Sequence, residues 1–187
     1  MIISEDYHSL LTPGLTGWRM AGAGGFAPNE DFIESFGGPG LLWYAAEEFA
    51  DFVLRVRWRL TSGHDNSGVF IRVPALGSDI GPGLDEGYEI QIDDRGVDPR
   101  TETLDSPLHR TGAIYGLAPA IANASGPVGT WNEFEIAAQG AIIEVTLNDV
   151  PTARLERGTR RPSGHIALQT HHDGSSVQFQ RCEVRRL

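Results

Sequence analysis

Apolar and polar positions alternate along much of this chain. In Gly87-Tyr-Glu-Ile-Gln-Ile-Asp-Asp94, Tyr88, Ile90 and Ile92 share one parity while Glu89, Gln91 and Asp93 share the other, the pattern of an antiparallel strand with one buried face. The polar side is a row of acid, amide and acid rather than the usual mixture of Thr, Ser, Lys and Arg. With about 3.3 Å of rise per residue, neighbours in that row sit roughly 6.6 Å apart and its ends roughly 13 Å apart. A sugar-sized ligand fits along it.

The same period runs through the rest of the chain. From Asp51 to Leu60, Phe52, Leu54, Val56, Trp58 and Leu60 point one way and Val53, Arg55, Arg57 and Arg59 the other, which makes the arginines a solvated ladder or partners for acids on a neighbouring strand. In Asn66-Ser-Gly-Val-Phe-Ile-Arg72, Val69 and Ile71 oppose Asn66, Gly68, Phe70 and Arg72. These two strands are predicted to form a hairpin or to lie as near neighbours. Phe134 and Ile136, then Ile143, Val145 and Leu147, face inward around a Gln139-Gly140 turn, and Asn148-Asp149 makes the next tight turn. Between Gly164 and Gly174, Ile166 and Leu168 share a face opposite His165, Ala167, Gln169 and His171. Val177 and Phe179 have the opposite parity to Cys182 and Val184, which predicts a β-bulge near Gln180 or Arg181. Helical periodicity is confined to one turn near Glu47. Ten to twelve short strands punctuated by Gly and Pro predict an all-β, two-sheet antiparallel sandwich. Residues 93 to 130 lack periodicity apart from the segment Thr111-Gly-Ala-Ile-Tyr-Gly116, and long loops of this kind on a β scaffold are where pocket walls are expected.

At 187 residues and 40% hydrophobic content, the chain supports one core, so residues 1–187 read as a single domain. The net charge of -10 argues against nucleic acid and anionic membrane as partners and favours an uncharged or cationic small molecule. All fifteen basic residues are Arg, which removes Schiff-base and P-loop chemistry, both of which need a lysine. The single cysteine, Cys182, excludes an intrachain disulfide and reads as core packing. Acids near the amino terminus with no apolar stretch after them lead to the expectation of a cytoplasmic protein.

No nucleophile or metal signature stands out. His171 and His172, if both lie on a strand, point to opposite faces and cannot easily hold one ion, and His8, His64 and His109 read as surface loop residues. The chemistry-bearing groups are those of the polar faces: Glu89, Gln91 and Asp93 from one strand, Asn66 and Arg72 from a second, Gln169 and His171 from a third. Carboxylate, guanidinium and imidazole together suit proton transfer beside a polarised oxygen. Trp18 and Trp43 are candidates for sugar platforms or for core packing.

The order of motifs supplies a further lead. Gly17-Trp18, Gly38-Pro-Gly-Leu-Leu-Trp43, the strand from Asp51 to Arg59, Asn66-Ser-Gly-Val-Phe-Ile-Arg72, Gly87-Tyr-Glu-Ile-Gln-Ile92, Thr111-Gly-Ala-Ile-Tyr-Gly116, Trp131-Asn132, Leu147-Asn148 and Ile166-Ala-Leu-Gln-Thr-His171 together resemble the 3-keto-disaccharide hydrolase domain family, a relative of the family 16 glycoside hydrolases. The resemblance implies a concanavalin A-like jelly roll and cleavage of glycosides already oxidised to a ketone at carbon 3. It implies catalytic roles for Glu89, His171 and Arg72, and substrate contacts from Asn66, Gln91, Tyr115, Gln169 and Asp93. Glu89 or His171 would remove the proton on carbon 2, Arg72 would stabilise the enolate, and Tyr115 or Gln91 would orient the sugar. A divalent metal ion is left open as a cofactor, with Asp93, Asp94 and His171 as its conceivable ligands. Two alternatives stand beside this one. A non-catalytic carbohydrate-binding module would share the fold. A retaining family 16 glycosidase would need two carboxyl groups about 5 to 5.5 Å apart, and Gln91 stands where its middle acid belongs.

Overall fold

The computed structural model describes residues 6–187. Its strands are β1 (His8–Ser9), β2 (Trp18–Gly22), β3 (Gly25–Pro28), β4 (Ile33–Phe36), β5 (Gly40–Tyr44), β6 (Phe52–Leu60), β7 (Ser67–Val73), β8 (Tyr88–Ile92), β9 (Asn132–Gln139), β10 (Ile142–Leu147), β11 (Val150–Leu155), β12 (His165–Thr170) and β13 (Val177–Arg186), with a 3-10 turn (Pro13–Leu15) before β2 and a short α-helix, α1 (Gly81–Glu86), before β8. They build two antiparallel sheets. The larger runs β11-β10-β9-β6-β13-β4-β3, with β1 against β13, and the smaller runs β2-β5-β12-β7-β8. No helix among the described residues is long and apolar enough to cross a membrane.

Alternation explains the core. Leu54, Val56, Trp58, Phe134, Ile136 and Val145 from the larger sheet meet Val69, Ile71, Tyr88, Ile90, Ile92, Ile166 and Leu168 from the smaller one, each set being one parity of its strands. Trp18 joins this core and donates its indole N–H to Leu10 O at 2.8 Å. The opposite parity of the smaller sheet gives a second apolar cluster of Ala21, Leu41, Trp43, Phe70, Val73 and Ala167, covered by Leu76 and packed against by Ile80 from the chain leading into α1. Both tryptophans are thereby spent on packing. Cys182 is buried among the core residues.

Turn chemistry is as the residues dictate. Asn148 and Asp149 adopt φ of 51° and 65°, the mirror-image turn that joins twisted hairpin strands. The register of β13 against β6 shifts between Phe179 and Arg181, where the change of parity placed a bulge. On the outer face of the larger sheet Arg55 pairs with Glu135 at 2.8 Å and Arg181 with Glu133 at 2.6 Å, while Arg57 and Arg59 lie over the Trp131 ring. Of the ladder, Arg55 thus pairs with an acid on the neighbouring strand, and Arg57 and Arg59 rest on an aromatic ring. Such exposed pairs contribute about 0–1 kcal/mol each.

Two expectations are corrected. The strands β6 and β7 are consecutive but belong to different sheets, because the link between them is a crossover and not a hairpin turn. Buried Asp65 fixes that crossover by accepting from Thr61 N at 2.8 Å, Ser62 N at 2.7 Å and Ser176 N at 3.0 Å. The helical turn lies at Gly81–Glu86 and not near Glu47. The backbone around Glu47 is held instead as a turn by His165, whose Nδ1 lies 2.9 Å from Tyr44 O and 2.8 Å from Glu47 O.

Candidate active site

The outer face of β7, β8 and β12 forms the floor of a cavity of about 500 Å³. In register, Gln91 of β8 faces Gly68 of β7 and Glu89 faces Phe70, and Leu168 of β12 faces Val69, so Gln169 falls across from Gly68 on its other side. This makes a row of amide, bare backbone and amide. Six of the eight residues singled out from the sequence, Asn66, Glu89, Gln91, Tyr115, Gln169 and His171, line the cavity together.

Glu89 lies at the centre of this arrangement. Its carboxyl bends over Gly68, where a Cβ atom would stand 2.5 Å from Glu89 Oε1. With its amide turned so that the nitrogen faces these acceptors, Gln91 donates one hydrogen to Glu89 Oε1 at 3.1 Å and the other to Ser67 O at 3.0 Å. Burial pushes the Glu89 carboxyl up to about 8, opposed by the Arg160 guanidinium. A carboxyl with that value is mostly protonated at neutral pH and donates a proton as an acid.

The segment Thr111–Gly116, singled out within the long loops, is an irregular ribbon along the free edge of β8. Gly112 N donates to Gln91 O at 3.0 Å, Gln91 N to Ala113 O at 3.0 Å and Tyr115 N to Glu89 O at 2.9 Å. Tyr115 is thus placed beside Glu89. Its phenol is raised above the usual value, first by burial and then by Glu89. His109 is a prop and not a loose surface residue: its ring stands edge-on to Tyr115 at 4.9 Å and its Nδ1 lies 2.7 Å from Ser106 Oγ.

At the other end of the row are the acceptors and the imidazoles. Asn66 Oδ1 and Gln169 Oε1 are buried and have no hydrogen-bond partner within the protein, a state that costs free energy until a ligand donor arrives. Because β12 ends at Thr170, the alternation that would separate His171 from His172 no longer applies. Both line the cavity, with their Nδ1 atoms 3.1 Å apart and their rings perpendicular. Partial burial, His172 and Arg95 lower the His171 imidazole below its ordinary value, against the pull of Asp93.

Two predicted residues are elsewhere. Arg72 does not reach the cavity. Opposite the single residue Ile166, β7 carries both Ile71 and Arg72, and Arg72 has φ of 56°, so a bulge reverses its side chain. Its guanidinium is 1% exposed and donates to Ala50 O at 3.0 and 2.6 Å and to Gly140 O at 2.8 Å, with Asp51 at 3.4 Å. Asp93 is consumed by its own loop, accepting from Arg95 N at 3.0 Å, Val97 N at 3.3 Å and Asn66 Nδ2 at 3.4 Å. It meets Asn66 and does not line the cavity. Sequence reasoning missed the cavity's two guanidiniums, Arg95 and Arg160. Arg95, directly after the polar strand in Asp93-Asp94-Arg95, carried a signal; Arg160 carried none.

The carboxylates considered as metal ligands are held by the protein itself. Asp93 is engaged as described, Asp94 accepts from Thr111 and Ser125 at 2.6 and 2.7 Å, and among the described residues no three His, Cys, Asp or Glu side chains converge as ligands.

The fold is a jelly-roll sandwich with a polar hollow on its smaller sheet. The sequence matches the family described as the 3-keto-alpha-glucoside-1,2-lyase-like domain over residues 9–185, and the chain belongs to that family. No curated protein matches the sequence. Among solved structures it is similar to a "putative glycosyl hydrolase" from Parabacteroides distasonis, at 20% identity and a TM-score of 0.78, covering 92% of this chain and 89% of that one. It is also similar to carbohydrate binding module CBM66 from Bacillus subtilis, at 12% identity and 0.64, covering 91% and 96%. A third is the VIP36 exoplasmic/lumenal domain in a Ca2+/Man3GlcNAc-bound form, at 14% identity and 0.62, covering 96% and 88%. These likenesses concern the fold.

Proposed function

We propose that this protein cleaves 3-keto-glycosides by elimination followed by hydration. The observation that carries the reading is one cavity holding Glu89 and His171 with their proton affinities displaced in opposite directions. At neutral pH the imidazole is free to accept a proton and the carboxyl still has one to give. A ketone at carbon 3 acidifies the hydrogen on carbon 2. His171 takes that proton, the electrons pass into the enolate, and the bond from carbon 1 to the glycosidic oxygen breaks as a carbon 1–carbon 2 double bond forms. Glu89 gives its proton to the departing oxygen. In the second stage Glu89 takes a proton from water as that water adds to carbon 1, and His171 returns its proton to carbon 2.

Arg95, beside His171 and tied to Asp93 at 3.4 Å, supplies the positive charge that Arg72 was expected to bring to the enolate. Asn66 and Gln169 accept from sugar hydroxyls, and Tyr115 and Gln91 orient the ring. No step calls on a metal. The retaining glycosidase has no support, since Glu89 is the one carboxylate lining the cavity among the described residues and that mechanism needs a pair. The unpartnered oxygens of Asn66 and Gln169 also favour a second reading, in which the cavity only binds sugar.

Side-by-side incubation with a 3-keto glucoside and the unoxidised glucoside separates the two: release from the first alone supports elimination, and binding without release supports the module. Glu89→Gln should lower kcat by about 10² to 10⁴. The wild-type kcat/KM should fall as pH passes about 8 and Glu89 loses its proton. A rate that keeps rising through that range would make Glu89 the base and reverse the two roles.

A further inference from the structure

The chain is strongly acidic, at -10, yet its cavity is not. Two guanidiniums and two imidazoles line it against one carboxyl, and that carboxyl, held by Gln91 over Gly68, is the group whose burial favours the neutral form. Arg95 is balanced by Asp93. Arg160 is not balanced. Its Nη1 donates to Gly87 O and, at 3.3 Å, to Leu84 O, and its backbone N donates to the hydroxyl of buried Tyr88 at 2.7 Å. Among the described residues no acid forms an ion pair with it. A guanidinium seated on carbonyl oxygens, its charge uncompensated, is a receptor for an anion.

Its position says which part of the ligand. Arg160 acts on Glu89, at the α1 end of the cavity, whereas Arg95 acts on His171 at the other end. In the elimination, Glu89 protonates the departing oxygen, so what lies beyond Glu89 is the leaving group. Next to Arg160 there is Leu84, 38% exposed and also lining the cavity. From this juxtaposition, and resting on the elimination reading, we infer that the leaving group is an apolar or aromatic alcohol bearing a carboxylate, bound by Arg160 through the carboxylate and by Leu84 through its hydrocarbon part. The expectation of an uncharged or cationic ligand, drawn from net charge, is reversed locally.

The test compares kcat/KM for the 3-keto glucosides of 4-hydroxybenzoate and of 4-hydroxybenzamide, both anomers of each, with phenyl 3-keto-glucuronide as a third substrate. The carboxylate should be preferred over the amide by roughly tenfold or more. That ratio should shrink with added salt, approach one in Arg160→Gln and be partly retained in Arg160→Lys, which keeps the charge. A ratio near one in the wild type, or one that survives Arg160→Gln, overturns the inference while leaving elimination intact. Preference for the glucuronide over the 4-carboxyphenyl substrate places the anion on the sugar and overturns it as well. Calorimetry with 4-hydroxybenzoate separates the remaining cases. If no 3-keto substrate is cleaved but binding is present and is lost in Arg160→Gln, the anion site stands and elimination falls; if binding is absent too, both fall.

Discussion

The position of the Glu89 carboxyl depends on a missing methyl group, and replacing it gives a quantitative test. In Gly68→Ala the new Cβ would meet Glu89 Oε1 at 2.5 Å, Cγ at 2.9 Å and Cδ at 3.1 Å, which is about 1 Å short of an ordinary contact for the nearest atom. The obstacle is the end of a side chain facing a cavity, so the carboxyl moves and the strand does not. Displacement by about 1 Å breaks its bond from Gln91 and, with Glu89 as the proposed proton donor, misplaces the proton, a change that costs about 10²-fold in rate, or about 2.7 kcal/mol of barrier. The fold should lose little, because alanine in a strand regains about 0.5–1 kcal/mol of the conformational entropy that glycine gives up. The expected result is therefore a large fall in kcat on a 3-keto glucoside with Tm within a few degrees of wild type, read by product release and by thermal melting. Turnover within twofold of wild type would show that the carboxyl over Gly68 is not the proton donor. A fall in Tm that matches the fall in rate would refute the claim that the neighbour yields.

Two further predictions bear on residues and conditions outside that contact. Arg72→Ala should destabilise the protein by about 3 kcal/mol or more, since Ala50 O and Gly140 O lose a buried charged donor, and the folded fraction should keep its turnover; thermal melts and specific activity corrected for folded protein check both halves. The pH dependence of stability follows from Glu89. Between its ordinary 4.5 and about 8 the native protein holds a proton that the unfolded chain has released, so this group makes stability fall with rising pH by up to about 1.4 kcal/mol per unit and stops contributing to the slope above 8. Urea midpoints at pH 5 and pH 8 should differ more in wild type than in Glu89→Gln, and equal differences would remove the raised affinity from the account.

What was legible in the sequence was whatever the two-residue period controls. The parity of Tyr88, Ile90 and Ile92 against Glu89 and Gln91, the inward set of β6, and the shift of register near Gln180 all follow from side chains alternating across a pleat. The same rule misplaced Arg72, because one residue at positive φ adds a step to β7 and nothing in Phe70-Ile71-Arg72 announces it. It misplaced His172 for the opposite reason, since the strand stops at Thr170 and both imidazoles line the cavity. The pairing of β6 with β7 failed because sequence adjacency does not reveal a crossover, and Asp65 discloses its role only through partners such as Ser176, distant in the chain. Arg160 was invisible because a loop has no period; only contact with Gly87 and Leu84 gives it an address.

The ribbon at residues 112–115 has a consequence beyond catalysis. By occupying the outward amides and carbonyls of β8 it seals one flank of the smaller sheet against recruitment of a foreign chain. The same backbone delivers the Tyr115 phenol to the hollow. A proteolytic nick or an insertion that peels this ribbon away would therefore withdraw the phenol from the hollow and uncover a polymerising edge in a single event, tying loss of the site to the onset of aggregation.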